Sequence, residues 1–258
     1  MHILACYKIV PDDQDIYVNA DQTLGLDKAV PKISQYDLNA IQAGLVLARS
    51  VPGGTLTGLS AGGKKYLENS KSRKDALSRG LERLELVIDD SLEKALPGVT
   101  AQVLARAAQT IGFDVIVCGE GSGDLYAQQV GTLLGEYLDV PNITAVSRIT
   151  IENGECLVER TLEKEVEVLV VPLPAVLSVT TDINEPPVPS MKAILEAGKK
   201  PVAVHSLADL EAAESSVPVH TVSMLAPKQA ERLQNIIAGC SDEQIAAFVD
   251  AIRPILAG

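Results

Sequence analysis

The sequence has no tryptophan, two phenylalanines and three histidines in 258 residues. So few aromatic rings leave few candidates for stacking on nucleobases or quinones. His2, His205 and His220 have no serine, cysteine or aspartate partner at a motif spacing, and neither GxSxG nor HExxH occurs. A hydrolytic triad and a zinc-protease site are therefore unsupported, and we expect a protein without catalytic residues of its own.

Cysteine is also sparse. Cys6, Cys118, Cys156 and Cys240 are far apart and form no CxxC or Cys/His cluster, so zinc and iron–sulfur clusters lack a ligand set. We expect reduced cysteines, no bound metal and a cytoplasmic location.

The N-terminal segment has neither a charged region nor a small-residue cleavage site, so it predicts a first strand rather than a leader.

Basic residues are outnumbered, 22 against 34 acidic ones, which gives a net charge of −12. This balance opposes the phosphate-neutralising surface that nucleic-acid binding requires. No run approaches the roughly 18 apolar residues of a membrane span. The 47% hydrophobic composition nevertheless supports a sizeable buried core.

Short apolar runs alternate with segments of helical period, which predicts an α/β fold with a mostly parallel sheet. The strands are expected at 3–10, 55–61, 84–88, 113–118 and 175–180, and the helices at 36–48, 67–79, 99–111 and 125–138. Alternating runs at 147–151, 157–162 and 166–171, with Asn153-Gly154 between the first two, predict antiparallel strands.

The proline-rich stretch from Asn184 to Pro189 interrupts regular structure. We place a boundary there, with an α/β domain over 1–183 and a C-terminal arm over 184–258. The arm ends in an amphipathic segment, 241–255, that opens with the capping pattern Ser-Asp-Glu-Gln. Its apolar content is too low to fold alone, so we expect it to pack on another surface.

The strongest local signal is a predicted strand, a loop with Gly119, Gly121 and Gly123, and a predicted helix. Glycines allow backbone N–H groups to approach a phosphate, and a helix N-terminus offers unpaired donors. A tight turn that needs glycine for geometry alone is the alternative. The loop matches neither GxGxxG nor a Walker A motif, so neither hydride transfer nor ATP hydrolysis is indicated.

Within this loop Asp124 is expected to cap a helix or bind a ribose, since a carboxylate would repel phosphate. At the first helix, Ser34 or Asp37 can cap and Tyr36 can contact a base or ribose. The basic stretch from Lys71 to Gly80 is either a phosphate patch or a solvated helix face.

Three stretches together resemble the electron-transfer flavoprotein β subunit over nearly the whole chain. They are Cys6-Tyr-Lys-Ile-Val-Pro with Ser34-Gln-Tyr-Asp-Leu-Asn-Ala, then Gly119 to Gly135, and then Asp182-Ile-Asn-Glu-Pro-Pro-Val-Pro-Ser-Met-Lys-Ala-Ile-Leu followed by Lys199-Lys200-Pro201. The pattern is similar to the bacterial Fix-type branch, associated with carnitine, fatty-acyl or nitrogen-fixation electron chains.

The resemblance implies a three-layer, Rossmann-like nucleotide-binding domain that pairs with an α subunit, which holds most of the FAD. It also implies electron transfer from a flavin dehydrogenase of acyl-CoA type to a quinone- or ferredoxin-linked oxidoreductase. A site for AMP, or for a second FAD, is implied at Cys6, Ser34, Gln35, Tyr36, Asp37, Ala61, Asp124, Leu125, Tyr126, Ala127, Gln128, Gln129, Val130, Gly131, Thr132, Leu133, Leu134 and Gly135.

The same resemblance implies a dehydrogenase-docking element at Met191, Ile194 and Leu195, with Met191 as the apolar anchor. The alternative is that these side chains form the buried face of a short helix. One departure is that Pro11-Asp12-Asp13-Gln14 lacks the aromatic residue with which some family members touch the flavin.

Two other classes compete with an electron-carrier subunit. One is a stand-alone nucleotide sensor of the universal-stress type, which has no need of the segment from Asn184 to Pro201. The other is an adenylating enzyme, which would need a phosphate loop with a catalytic lysine or Ser-Gly-Gly chemistry that is missing here.

Overall fold

A computed structural model describes residues 1–210, 219–228 and 234–256. Its strands are β1 His2–Cys6, β2 Ile9–Pro11, β3 Tyr17–Val18, β4 Leu24–Gly25, β5 Pro31–Ile33, β6 Thr55–Gly62, β7 Arg83–Ile88, β8 Val115–Gly119, β9 Asn142–Glu152, β10 Glu155–Thr161, β11 Val166–Val171, β12 Ala175–Val179 and β13 Val202–His205. Its helices are α1 Gln35–Ser50, α2 Lys64–Leu67, α3 Ser70–Ser78, α4 Pro97–Ile111, α5 Val130–Leu138, α6 Met191–Ala197 and α7 Asp242–Leu256.

A nine-stranded sheet forms the centre of the molecule, in the order β11-β10-β9-β12-β8-β1-β6-β7-β13. Seven neighbouring strands, β9, β12, β8, β1, β6, β7 and β13, run parallel to one another. At the other end of the sheet, β10 is antiparallel to both β9 and β11. Residues of α1, α3 and α6 share a buried cluster on one face, and residues of α4 and α5 share one on the other. The predicted α/β class, with three layers and a mostly parallel sheet, is confirmed.

The central strand β1 shows why a continuous apolar run is needed here. Its side chains alternate between the faces, so Ile3 and Ala5 enter one cluster while Leu4 and Cys6 enter the other. A strand covered by helices on both faces has no position for a solvated side chain.

The predicted hairpin is confirmed. Asn153 and Gly154 have φ of 52° and 86°, which match the left-handed conformations that a two-residue hairpin turn requires. Glu152 pairs with Glu155 beside this turn, and β11 adds a third antiparallel strand.

Two predicted helix starts are wrong. The helix expected from residue 67 is divided, because the Asn69 side chain accepts the N–H groups of Lys71 and Ser72 and caps a new helix, α3. The helix expected from residue 125 starts at Val130, because Tyr126 and Gln128 have φ of 46° and 55° and cannot continue a right-handed helix.

The predicted arm contributes to the sheet, since β13 pairs in parallel with β7. The division at residue 184 itself stays a prediction. The predicted C-terminal helix is present as α7, and Ser241 and Gln244 cap it reciprocally through their side chains and N–H groups. None of the residues of α7 is buried.

Candidate functional site

The candidate site lies at the carboxyl ends of the parallel strands, where ligands bind in open α/β sheets. Residues 119–129, which we call the glycine loop, connect β8 to α5. The loop meets the start of α1, because Gly123 donates its N–H to Ser34 Oγ at 3.3 Å. Ser34 therefore occupies the N-cap position of α1 without capping it through its side chain.

The buried side chain of Asp37 stabilises this junction. It is buried, its carboxylate accepts the Lys8 N–H at 2.8 Å, and it lies beside the Gly119 N–H. Burial raises the pKa of Asp37 to about 7, although both N–H groups oppose the shift. The expected capping role of Asp37 is therefore replaced by a structural contact that joins α1, β1 and the loop.

Lys8 places a positive charge on the rim of the loop. Its Nζ lies 2.6 Å from Asp124 Oδ2, and Ser122 donates to the same carboxylate at 2.6 Å. Partial burial favours a higher pKa for Asp124, but the charge of Lys8 and these hydrogen bonds outweigh it and lower the pKa. Asp124 is therefore a well-formed acceptor, and Lys8 is a cation within reach of an anionic ligand.

Two tyrosines stand on the same rim. The rings of Tyr36 and Tyr126 are 5.0 Å apart between centroids and tilted by 39°. Glu120 lies beside the Tyr126 hydroxyl and the Thr181 N–H, and its pKa is raised by burial first and by Asp182 second. An aromatic surface and a polar contact to the turn after β12 thus adjoin the loop.

The glycines of the loop allow close packing. A Cβ on Gly119 would lie 2.7 Å from Asp37 Oδ1 and from the Tyr36 carbonyl carbon, and one on Gly121 would overlap the Tyr126 ring. A Cβ on Gly123 would meet only Val10, at 3.7 Å, so this position has open space above the backbone. None of the three has positive φ. The N–H groups of Gly119 and Gly123 are already used within the protein, so the glycines permit a tight strand-to-helix connection, and the open space lies above Gly123.

The structure brings most of the predicted nucleotide-site residues to this edge. Cys6 ends β1, Ala61 lies near the end of the adjacent β6, and Ser34, Tyr36, Asp37, Asp124 and Tyr126 are in contact as described. The Cys118 thiol and burial raise the pKa of Cys6 well above its ordinary value, so it stays a neutral thiol.

The rest of the predicted site divides into two parts. Leu125, Ala127, Gln128 and Gln129 are exposed on the loop, as is Gln35 at the start of α1. The remaining residues belong to the first turns of α5, where Gly131, Leu134 and Gly135 are buried against the sheet. Their contact with a ligand stays a prediction.

Sequence reasoning missed three residues at or near this edge: Lys8, Glu120 and Asn39. All three lie within the stretches that carry the family resemblance, but the partner of Lys8, Asp124, is 116 positions away. No local pattern could have indicated that pair.

The predicted docking residues lie on α6, beyond the proline-rich stretch. Met191 and Leu195 are 73% and 70% exposed, Ile194 is 43% exposed, and Ala197 is the buried residue of this helix. The alternative, in which Met191, Ile194 and Leu195 form the buried face of a short helix, is therefore wrong.

Over 1–210, 219–228 and 234–256, no three His, Cys, Asp or Glu side chains are grouped as a metal site would require. Within the same ranges no helix combines the length and apolar character needed to cross a membrane.

Comparison with known protein families identifies the chain. The model of the electron transfer flavoprotein domain matches residues 24–210, well over half of the sequence and most of the sheet described above. The glycine loop and the start of α1 fall within that match, whereas β1 and Lys8 precede it. This chain belongs to the electron transfer flavoprotein family.

Proposed function

We propose that the chain is the β-type subunit of a heterodimeric electron-transfer flavoprotein of the Fix-type branch. The observation that carries the proposal is the meeting of β1, the start of α1 and the glycine loop at one edge of the sheet, in a chain of this family. In this role the chain binds an adenine nucleotide, pairs with an α subunit and passes electrons without making or breaking a substrate bond.

AMP, or the AMP half of a second FAD, fits the residues at this edge. Lys8 and the N–H groups of the first turn of α5 would receive the phosphate, and Asp124 would accept from the ribose hydroxyls. Tyr36 and Tyr126 would contact the base. The carboxylates of Glu120 and Asp124 disfavour a further anion, so the phosphate depends on Lys8 and the backbone donors.

The redox FAD is proposed to sit mainly on the α subunit. When bound, FAD supplies the electron-carrying chemistry, and this chain contributes part of its surroundings. The segment from Pro11 to Gln14 lacks an aromatic side chain, which argues against stacking of this segment on the flavin.

We assign docking of the dehydrogenase to residues 184–200, here called the docking segment. Met191 and Leu195 present apolar surface to solvent, and Val188 is 91% exposed. Exposed apolar side chains held on a stiff, proline-rich backbone suit an interface, because little ordering entropy is lost on binding. Met191 remains the proposed anchor, since a flexible thioether fills irregular pockets well.

The α subunit is proposed to cover the exposed face of α7, where Ile245 and Phe248 are each half exposed. This gives the predicted arm, residues 184–258, two tasks, docking and assembly, while residues 1–183 hold the nucleotide. A cytoplasmic location, an acyl-CoA-type or carnitine-linked donor and a quinone- or ferredoxin-linked acceptor complete the proposal.

The second candidate is a stand-alone adenine-nucleotide sensor of the universal-stress type. The glycine loop at the carboxyl edge of a parallel sheet suits it equally well. The exposed docking segment and α7 favour the subunit, because a sensor needs neither surface.

Co-expression with a flavoprotein α subunit tests the proposal. A yellow heterodimer, with AMP or a second FAD released on denaturation, is the expected result. The isolated chain should hold no tightly bound redox flavin and accept no electrons from a dehydrogenase. A colourless monomer that binds nucleotide but no second subunit would favour the sensor.

A further inference from the structure

The docking segment is tied to the α/β body at its first residue. Asn39, on α1, is buried, and its Nδ2 donates to the carbonyl oxygens of Asn184 at 2.7 Å and of Thr181 at 3.2 Å. Asn184 Nδ2 donates back to the Asn39 carbonyl oxygen at 3.1 Å. A reciprocal set of hydrogen bonds therefore fixes the point at which the chain leaves the sheet.

A second tie lies at the last residue of the segment. Lys200 Nζ donates to the carbonyl oxygens of Leu77 and Leu81 at 2.8 and 2.6 Å. These oxygens lie at the end of α3 and just before β7, and burial lowers the pKa of Lys200. Lys200 thus satisfies carbonyl groups left open where a helix ends.

Between the two ties the segment spans a cleft of about 280 Å³. Its walls are Leu38, Ile41 and Leu45 of α1 on one side and Pro186 to Ser190 on the other. The proline stretch does not fill the space beneath it, so its position depends on Asn184 at one end and, at the other, on α6 with its buried Ala197 and on Lys200.

We propose that Asn39 and Lys200 are positioning residues that hold the docking segment in its binding-competent shape. The inference rests on the docking role proposed above for this segment. Neither residue lies among the exposed side chains that would contact a partner. They act by lowering the conformational entropy that Val188, Met191 and Leu195 lose on binding, and so they affect partner affinity rather than the electron-transfer step.

Amide hydrogen exchange of the full-length chain tests the ties without a partner. In Asn39→Ala and in Lys200→Met, exchange of the amides in residues 184–196 should accelerate roughly tenfold or more, as loss of two hydrogen bonds predicts. Lys200→Arg should restore slow exchange, because arginine can donate to both carbonyls. Lys199→Met is the matched control, since its side chain makes no hydrogen bond in the part of the chain that the structure describes and does not line the cleft. Unchanged exchange in both test variants would overturn the proposal.

Steady-state kinetics of the assembled heterodimer with an acyl-CoA dehydrogenase separate positioning from general damage. Both variants should raise the KM for the heterodimer about fivefold at an unchanged kcat, with normal flavin and nucleotide content. A lower kcat at an unchanged KM would refute the positioning role.

The docking function is tested separately by Val188→Ala and Met191→Ala. If these two leave KM unchanged, the docking assignment fails, whatever the ties do. If they raise KM while Asn39→Ala and Lys200→Met do not, docking stands and the positioning role is lost.

Discussion

Lys8 is the residue whose charge at the glycine loop has the clearest consequence for binding. We expect Lys8→Met to weaken AMP binding about tenfold or more, because a charge-assisted contact is lost and Asp124 keeps its negative charge without a partner. Isothermal titration with AMP measures the effect. Lys164→Met, in the turn between β10 and β11, is the control. Equal affinities in the two variants would place the phosphate elsewhere.

Asp37 makes stability depend on pH. Its folded-state pKa of about 7 lies above the ordinary value of 3.8, so the folded state binds the proton more tightly than the unfolded state does. Above pH 7 the burial cost of the carboxylate is fully present, and it is relieved as pH falls towards the unfolded-state pKa.

The free energy of unfolding of the wild type, relative to Asp37→Asn, should therefore rise as pH falls from 8 to 5. The rise should reach about 1.4 kcal/mol for each pH unit below 7. Urea unfolding of both proteins across this range measures it. A constant difference would show that Asp37 does not titrate there.

At the residue scale the sequence indicated Ser34, Asp37 and Asp124 as capping residues, with a ribose contact as the alternative for Asp124. Capping was a sound expectation, because it depends on neighbours three residues away. The structure uses all three for contacts between distant segments instead. Residue type indicated the importance of these positions, whereas their partners came from the fold.

At the scale of elements, two substitutions in the glycine loop distinguish its packing role from its role in ligand binding. Gly119→Ala should lower both stability and nucleotide content, because its Cβ meets Asp37 and Tyr36. Gly123→Val should abolish nucleotide binding with little loss of stability, since the space above Gly123 is open in the protein but needed by the ligand. Thermal unfolding together with chromatography of the released nucleotide distinguishes them. Full nucleotide content in Gly123→Val would point to a different pocket.

The docking segment gives a second prediction at this scale. Met191→Ala in the heterodimer should weaken dehydrogenase binding by roughly 2 kcal/mol, the cost of losing an interface anchor. Folding, flavin content and reduction by dithionite should stay normal. Val168→Ala removes an apolar side chain of similar exposure from β11 and is the control. Undiminished electron transfer would remove Met191 from the docking site.

Elements differ in how far their own sequence specifies them. The Asn153-Gly154 hairpin was predictable because its turn chemistry is local. The start of α5 was not, because residues 125–129 have helix-compatible composition, yet Tyr126 packs over Gly121 and near Tyr36 instead. Tertiary contacts overrode propensity at that point.

For the whole molecule, the exposure of α7 predicts that folding and assembly can be separated. A chain ending at Gly239 should keep its melting temperature and its nucleotide, because no residue of α7 is buried. It should lose the heterodimer, since the apolar face of α7 is gone. Differential scanning calorimetry and co-purification with the α subunit provide the two measurements. A large fall in melting temperature would show that α7 stabilises the α/β body instead.

The sequence by itself determined the class of fold, the antiparallel hairpin, the glycine loop and the amphipathic C-terminal helix. Each depends on apolar periodicity or turn chemistry within about 15 residues, which local sterics and solvation enforce. Only the tertiary structure decided that β13 completes the sheet, that Lys8 meets Asp124, and that Asn39 holds Asn184, 145 positions away. Those contacts follow from the order of the strands, and many strand orders satisfy the same local pattern of buried and exposed residues.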